Sequence, residues 1–308
     1  MFKKKPKFWD KKNKTILCIL LLPITFLVLI FIKLKNLQAR RKYSFPVICV
    51  GNIYLGGTGK TPLSIEVFKV CKKFGKKAAF VKKYYPYLED EIKLLKKYSK
   101  VFSDQSRITS LNKIQNGNFD IAILDDGFQD VSIEKKYTII CFNSNQWVGN
   151  GLVIPSGPLR EDLSALKRAN CVFINGEYNK SFNSFLHKIN SNLEIFYCKY
   201  KILNAKNFKK DKLIAFAGIG NPSNFFSTLK DHGLRLIETI SFPDHHDFSS
   251  EDVENLINKS KSKNAKLITT EKDYYRLNNK YKSHINFLQT ILKIENKNNF
   301  EKAIKKQI

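Results

Sequence analysis

The sequence predicts an α/β protein with a mostly parallel sheet, preceded by an apolar helix. From residue 43 onward, short apolar strands alternate with helices, which is the pattern of a parallel sheet covered on both faces. The length of 308 residues is typical of two domains of roughly 100–200 residues each. We expect a basic N-terminus with the apolar helix over 1–42, a first α/β domain over 43–148 and a second, smaller one over 149–308, joined by the Gly- and Pro-rich stretch 149–158.

The apolar run over 15–32 predicts a membrane anchor. Its 18 residues carry no charge, and 14 of them are Leu, Ile, Val or Phe. As a helix it would extend about 27 Å, close to the thickness of a hydrocarbon core. The basic segment before it is also typical of a signal peptide, but residues 33–41 contain no small-x-small cleavage site. We expect an uncleaved anchor, with a helix lying in the cytoplasmic leaflet as the alternative.

The charge of the chain favours an anionic partner. There are 54 Lys and Arg against 27 Asp and Glu, a formal net charge of +27, and most of the cations are lysines. Specific nucleic-acid recognition depends on arginine forks, so we expect a membrane surface or an anionic substrate and no nucleic acid. A general bias toward Lys would explain much of the excess as well. The six separated cysteines form no zinc pattern and no disulfide framework.

A glycine-rich turn between a predicted strand over 45–50 and a predicted helix over 60–74 carries the strongest chemical signal. The turn contains Gly56, Gly57, Thr58, Gly59, Lys60 and Thr61. Glycines let backbone N–H groups face phosphates, the lysine reaches β- and γ-phosphate oxygens, and the threonine hydroxyl ligates Mg²⁺. Tyr54 replaces the first glycine of the strict pattern. The turn nevertheless predicts a loop that binds the phosphates of a nucleotide.

Two acids end another predicted strand, over 119–124. Asp125 and Asp126 follow its apolar residues, and the carboxyl ends of parallel strands lie where the phosphate loop opens. Acids at that position organise Mg²⁺, although the pattern does not tell which of the two meets the metal. Two classes of P-loop protein are disfavoured, the GTPases and the partition ATPases. Residues 270–273 do not match the guanine-binding motif of GTPases, because their lysine and aspartate are adjacent, and Leu55 stands where partition ATPases have an additional lysine. Both absences favour a kinase.

Six segments in order resemble the tetraacyldisaccharide 4′-kinase (lipid A 4′-kinase) family over about residues 45–275. They are 51–52 with 56–62, 125–129, 149–151 with 155–161, 215–222, 242–246 and 270–273. Where the family has Ser-Arg-Gly-Tyr after its second strand, this chain has Val-Lys-Lys-Tyr over 81–84. Six ordered segments are far more specific than the phosphate loop alone.

The resemblance implies a P-loop fold and ATP-dependent phosphorylation of the 4′-hydroxyl of a tetraacylated glucosamine disaccharide 1-phosphate, in lipid A biosynthesis. It implies that Arg160 lines the nucleotide, that Glu161 lines the metal site, and that Asp90 is the catalytic base, paired with His245. A carboxylate held by histidine can take the proton of a sugar hydroxyl. The alternatives are a helix N-cap for Asp90 and an ordinary loop pair for His245 and His246.

The chemistry of such a lipid places the enzyme at an interface, because each CH₂ removed from the bilayer costs about 0.8 kcal/mol. The resemblance implies the inner membrane, with the active site on its cytoplasmic side, and we infer no obligate protein partner. The competing function is a membrane-tethered P-loop nucleotide switch or a metallochaperone-like binder, which would bind nucleotide without phosphorylating any lipid.

Overall fold

The computed structural model describes residues 6–11, 15–244 and 246–308. These residues form two compact units. The large unit contains residues 6–85, 95–199 and 292–308, and the small unit contains Pro86–Leu94 and Tyr200–Ile291. The prediction of an α/β fold with a large, mostly parallel sheet is confirmed.

Twelve strands are present in the described part of the chain. They are β1 Val47–Gly51, β2 Ala78–Val81, β3 Val101–Phe102, β4 Ile121–Asp125, β5 Tyr137–Asn143, β6 Cys171–Asn175, β7 Glu194–Ile202, β8 Lys212–Ala217, β9 Arg235–Ser241, β10 Lys266–Thr270, β11 Ile285–Leu288 and β12 Thr290–Ile294. The α-helices are α1 Ile16–Leu20, α2 Leu22–Lys35, α3 Lys60–Lys73, α4 Glu89–Lys96, α5 Arg107–Gln115, α6 Lys180–Ile189, α7 Pro222–Asp231, α8 Ser250–Ser262, α9 Glu271–Arg276 and α10 Lys297–Lys305.

The large sheet has the order β12-β7-β6-β5-β1-β4-β2-β3. Strands β1 to β7 pair in parallel. The central strands β1, β4 and β5 are buried at every residue, as expected for a parallel sheet with both faces covered. Each is a continuous apolar run in the sequence, and the ends of β1 and β4 lie within two residues of the predicted ones.

The small sheet has the order β11-β10-β8-β9, again all parallel. Alternate residues of β8 pack into two different cores. Leu213, Ala215 and Ala217 face one apolar cluster, which includes residues of α7. Ile214 and Phe216 face another, which includes residues of α8. The sheet therefore has a core on each face.

The boundary between the units differs from the predicted one at residue 149. Strands β6 and β7 continue the large sheet beside β5, so residues up to 199 belong to the large unit. The Gly- and Pro-rich stretch 149–158 is not a linker, because Ser156 within it is fully buried and Val153 is 3% exposed. Gly and Pro mark tight turns as well as linkers, which is why composition misplaced the boundary.

The apolar run over 15–32 forms two helices, α1 and α2, instead of one. Pro23 stands in the first turn of α2, where its missing N–H is tolerated, whereas inside a continuous helix it would remove a hydrogen bond. In the described residues, neither of these helices nor any other has the length and apolarity that crossing a bilayer requires. One side of α2 packs on the large core through Val28, Leu29 and Ile32.

Candidate active site

The phosphate loop joins β1 to α3 in the large unit, as predicted. Gly59 precedes the helix with φ +88° and Gly56 has φ +141°, both in a region that side chains disfavour. The amide of Asn52 donates to the carbonyl of Tyr54 at 2.6 Å and to the hydroxyl of Thr58 at 3.0 Å. The loop is therefore held in shape by its own hydrogen bonds, with α3 starting at Lys60.

Asp125 receives hydrogen bonds from two hydroxyls of the helix that follows the loop. Its Oδ2 accepts from Thr61 Oγ1 at 3.0 Å and its Oδ1 accepts from Ser64 Oγ at 3.0 Å. The strand end and the helix start are thereby joined. The carboxylate of Asp125 is completely buried, so it acts on the site through Thr61.

Lys82 is a site residue that sequence reasoning missed. Its ammonium lies 2.5 Å from Asp125 Oδ2, and the two side chains are 2% and 0% exposed. Val81, the last residue of β2, pairs with Leu124 of β4. Lys82, which follows β2, therefore lies beside Asp125, the last residue of β4. A lysine directly after a buried apolar strand, at the edge that carries the acids, was the signal available in the sequence.

Asp126 turns its carboxylate toward the phosphate loop, with a backbone φ of +59°. Lys60 Nζ lies 3.7 Å from Oδ2 and Arg160 Nη1 lies 2.9 Å from Oδ1. Burial would raise the pKa of Asp126, but the charges of Lys60, Arg160 and other cations outweigh it and hold the pKa well below the usual value. The carboxylate is thus an ionised partner for the two cations that face the loop.

Arg160 and Glu161 come from the segment that follows the Gly- and Pro-rich stretch. The N–H of Arg160 donates to the carbonyl of Ile53 at 2.7 Å, and the N–H of Leu55 donates to the carbonyl of Pro158 at 2.8 Å. These bonds fasten the segment to the phosphate loop. The side chain of Glu161 is buried and forms an ion pair with Arg168. Burial raises the pKa of Glu161 in spite of that charge.

The oxygen donors at the site suit a hard cation such as Mg²⁺. The hydroxyl of Thr61 and the carboxylate of Asp126 belong to the same small cluster, and Glu161 Oε1 is buried with no hydrogen-bond partner among the described residues. In that part of the chain, no three His, Cys, Asp or Glu side chains converge to form a metal site. Such a donor set fits a cation that completes its shell with phosphate and water.

Asp90 lies in the small unit, inside the first turn of α4, which begins at Glu89. Its carboxylate, 3% exposed, receives Arg276 Nη2 at 2.6 Å and lies 3.7 Å from Lys272 Nζ. It therefore forms side-chain ion pairs of its own. The predicted partner His245 lies outside the described residues. Its neighbour His246 bonds Asp252 at 3.0 Å.

The N-terminal segment also reaches the phosphate loop, which sequence reasoning did not predict. Tyr54, fully buried at the position of the missing glycine, donates its hydroxyl to Asp10 Oδ1 at 2.7 Å. Trp9 Nε1 donates to the carbonyl of Pro155 at 3.0 Å, and Thr25 Oγ1 donates to Ser156 Oγ at 2.8 Å. The residues around α1 and α2 are thus part of the frame of the site.

Comparison with known proteins gives consistent matches over nearly the whole chain. A protein-family model described as tetraacyldisaccharide-1-P 4′-kinase matches residues 17–88 and 87–308. The tetraacyldisaccharide 4′-kinase of Pelagibacter ubique is 42% identical over 299 residues, which are 96% of this chain and 95% of the relative. The tetraacyldisaccharide 4′-kinase of Rickettsia canadensis is 36% identical over 324 residues, covering 98% and 97% of the two chains.

A solved structure supports the fold independently. The crystal structure of LpxK from Aquifex aeolicus in complex with ATP matches with a TM-score of 0.73 at 23% identity, covering 94% of this chain and 99% of that chain. At this identity the likeness establishes a common fold.

Proposed function

The chain belongs to the tetraacyldisaccharide-1-P 4′-kinase family, and on that premise we propose that it is the kinase that phosphorylates the 4′-hydroxyl of a tetraacylated glucosamine disaccharide 1-phosphate with ATP, in lipid A biosynthesis. The observation that carries the proposal is the convergence of Lys60, Thr61, Asp126 and Arg160 on one glycine-rich loop. Phosphoryl transfer requires this combination of loop amides, cations and acids around the phosphates.

The loop of the large unit would bind the triphosphate. Backbone N–H groups over 56–61 would face the phosphates, and Lys60 would exchange part of its contact with Asp126 for the β- and γ-phosphate oxygens. Arg160 lies on the other side of Asp126, so it would stabilise the charge that develops on the transferred group.

The oxygen donors of the site would hold Mg²⁺ through Thr61, Asp126 and Glu161, with Asp125 orienting the hydroxyl of Thr61. A metal held there would supply positive charge that offsets the charge of the phosphates. Asp126 fits this role because its pKa is held low by the surrounding cations, so it stays ionised throughout the neutral range.

The proposed base is Asp90, with His245 as its partner. A lone pair of the 4′-hydroxyl oxygen forms the bond to the γ-phosphorus, while the bond from that phosphorus to the β–γ bridging oxygen breaks and its electron pair leaves with ADP. The proton of the hydroxyl passes to the carboxylate of Asp90. Such general-base assistance is worth about 10²–10⁴ in rate.

The membrane is the proposed place of the reaction, on its cytoplasmic side. Helices α1 and α2 have one side on the protein core, while other apolar residues face outward: Ile16, Ile19, Leu20, Ile24, Phe26, Leu27, Phe31 and Leu34 are each more than half exposed. Burying a side chain of this kind gains about 1.5–3 kcal/mol, so the face favours lying in the bilayer interface. Cations over 33–42 would add about 1 kcal/mol each toward anionic lipid.

Transfer of labelled phosphate from ATP to a defined acylated disaccharide 1-phosphate in mixed micelles tests the proposal. We expect label in the organic phase with the native protein and at least a hundredfold less with Lys60→Ala. The matched control is Lys76→Ala, because Lys76 is exposed and lies outside the site. Label released only as inorganic phosphate would indicate the nucleotide switch instead, and Asp90→Asn with full turnover would remove the proposed base.

A further inference from the structure

Two sequence segments of the small unit have no role in the function described so far. Segment 215–222 follows β8 and segment 270–273 leads from β10 into α9. Both come together with α4 around one side chain, that of Arg276, at the end of α9. The guanidinium of Arg276 is only 10% exposed, so its contacts are protected from water.

Arg276 forms a fork on Asp90. Its Nη2 lies 2.6 Å and its Nε 3.1 Å from the same carboxylate oxygen, Oδ2. Lys272, one turn earlier on α9, has its Nζ 3.7 Å from that oxygen and forms an ion pair with Glu91. Charge-assisted bonds of this kind are short and directional, so the fork determines the orientation of the carboxylate.

The guanidinium of Arg276 is also fixed by contacts with groups other than Asp90. Its Nη1 donates to the carbonyl of Gly218 at 2.8 Å and to Asp273 Oδ1 at 3.0 Å. Asp273 in turn accepts from the hydroxyl of Thr270 at 2.7 Å and from the N–H of Gly218 at 3.1 Å. The two unassigned segments therefore supply the anchors of the guanidinium.

Gly218 lies close to the groups around it. A β-carbon there would come within 3.2 Å of the carbonyl oxygen of Pro243, so a larger residue would have to displace its neighbours by a few tenths of an ångström. Arginine suits position 276 because the donors of its planar guanidinium point in fixed directions, toward Asp90 on one side and toward Gly218 and Asp273 on the other.

We propose that Arg276 is a positioning residue for phosphoryl transfer: anchored by Asp273 and Gly218, it holds the carboxylate of Asp90 in the orientation that accepts the proton of the sugar hydroxyl. This inference rests on the proposed role of Asp90 as the base. The charged groups that face this carboxylate in the described residues are Arg276 and Lys272, balanced by Glu91 and Asp273.

The test compares Arg276→Gln with Arg276→Lys. For Arg276→Gln we expect kcat to fall between about tenfold and a hundredfold, a part of the full value of a general base, with KM for ATP changed less than about twofold. Arg276→Lys keeps the charge without the fork, so it should lose a smaller part of kcat than Arg276→Gln.

The matched control is Arg235→Gln, because Arg235 is exposed at the start of β9 and its replacement should leave kcat unchanged. Native kcat in Arg276→Gln, or the same loss of kcat in Arg276→Gln and Arg276→Lys, would overturn the inference. If Arg276→Gln does not fold, a native kcat in Arg276→Lys would overturn it and a reduced kcat with an unchanged KM for ATP would support it. Asp90→Asn separates the two proposals: if it is inactive while Arg276→Gln behaves as native, only the positioning role is lost.

Discussion

Replacing Lys82 by Met should destabilise the large unit far more than the loss of an ordinary ion pair. The side chains of Lys82 and Asp125 are 2% and 0% exposed, and their charged atoms lie 2.5 Å apart. Without the ammonium, the buried carboxylate keeps two neutral hydroxyl donors, those of Thr61 and Ser64. Breaking a buried pair in this way costs about 3–5 kcal/mol, against a total stability of about 5–15 kcal/mol.

Lys73→Met is the matched control. Lys73 and Glu301 have almost the same separation, 2.6 Å, but the lysine is 59% exposed. Exposed pairs contribute about 0–1 kcal/mol, so the two variants differ in burial and not in geometry. In thermal unfolding followed by circular dichroism, a difference of about 3–5 kcal/mol corresponds to about 6–20 °C for a unit of this size.

A double-mutant cycle with Asp125→Asn isolates the charge. In that background the carboxylate is gone, so adding Lys82→Met should cost less than about 1 kcal/mol. Equal shifts for Lys82→Met and Lys73→Met would refute the reasoning from burial. An undiminished cost of Lys82→Met in the Asp125→Asn background would show that packing, and not charge, is responsible.

Three further predictions concern the rest of the large unit. The pKa of Asp126 is lower in the folded protein than in the unfolded chain. Its carboxylate therefore stabilises the fold at pH values above the unfolded-state pKa of about 3.9, and this stabilisation is lost progressively as the pH falls below that pKa. The urea midpoint of Asp126→Asn should therefore fall less than that of the native protein between about pH 5 and pH 2, and an unchanged slope would contradict this. Tyr54→Phe removes the hydrogen bond to the carboxylate of Asp10, so it should lower the free energy of unfolding by about 1.5–3 kcal/mol and weaken ATP binding measured by calorimetry. Asp10→Asn keeps a hydrogen-bond acceptor and should cost less. Native stability and native ATP affinity in both variants would show that this hydrogen bond does not support the phosphate loop. Phe26→Gln with Leu27→Gln should abolish flotation with anionic vesicles without lowering the thermal midpoint, and retained flotation would argue against the proposed face.

Most of the fold could be predicted because its signals are local. The apolar runs of β1, β4 and β5 are continuous in the sequence. β1 leads into the glycine-rich turn, and β4 ends in the acids of the site. The glycine turn before Lys60 and the acids 125 and 126 are read in the same way. These strands and site residues can be predicted without knowing which residues pack against them.

The remaining features depend on contacts between distant parts of the chain. Lys82 joins the site because β2 lies beside β4, and Arg276 reaches Asp90 across 186 positions of sequence. In the sequence Tyr54 is only an exception to the glycine pattern, whereas in the structure its hydroxyl donates a hydrogen bond to Asp10. The boundary at 149 failed for the same reason, since the pairing of β6 with β5 has no local signature.

The packing of the N-terminal segment, including α1 and α2, on the large unit restricts how this enzyme can be prepared for study. Trp9 and Thr25 are almost completely buried and bond to the carbonyl of Pro155 and the hydroxyl of Ser156, a few residues before Arg160. Deleting the N-terminal helices from the gene would expose the segment that contains Pro155 and Ser156. The side chain of Arg160, which follows this segment, would then be less firmly held. A version that stays dispersed without detergent is better sought by exchanging the outward leucines and phenylalanines for polar side chains, one by one, while the scaffold beneath them is left whole.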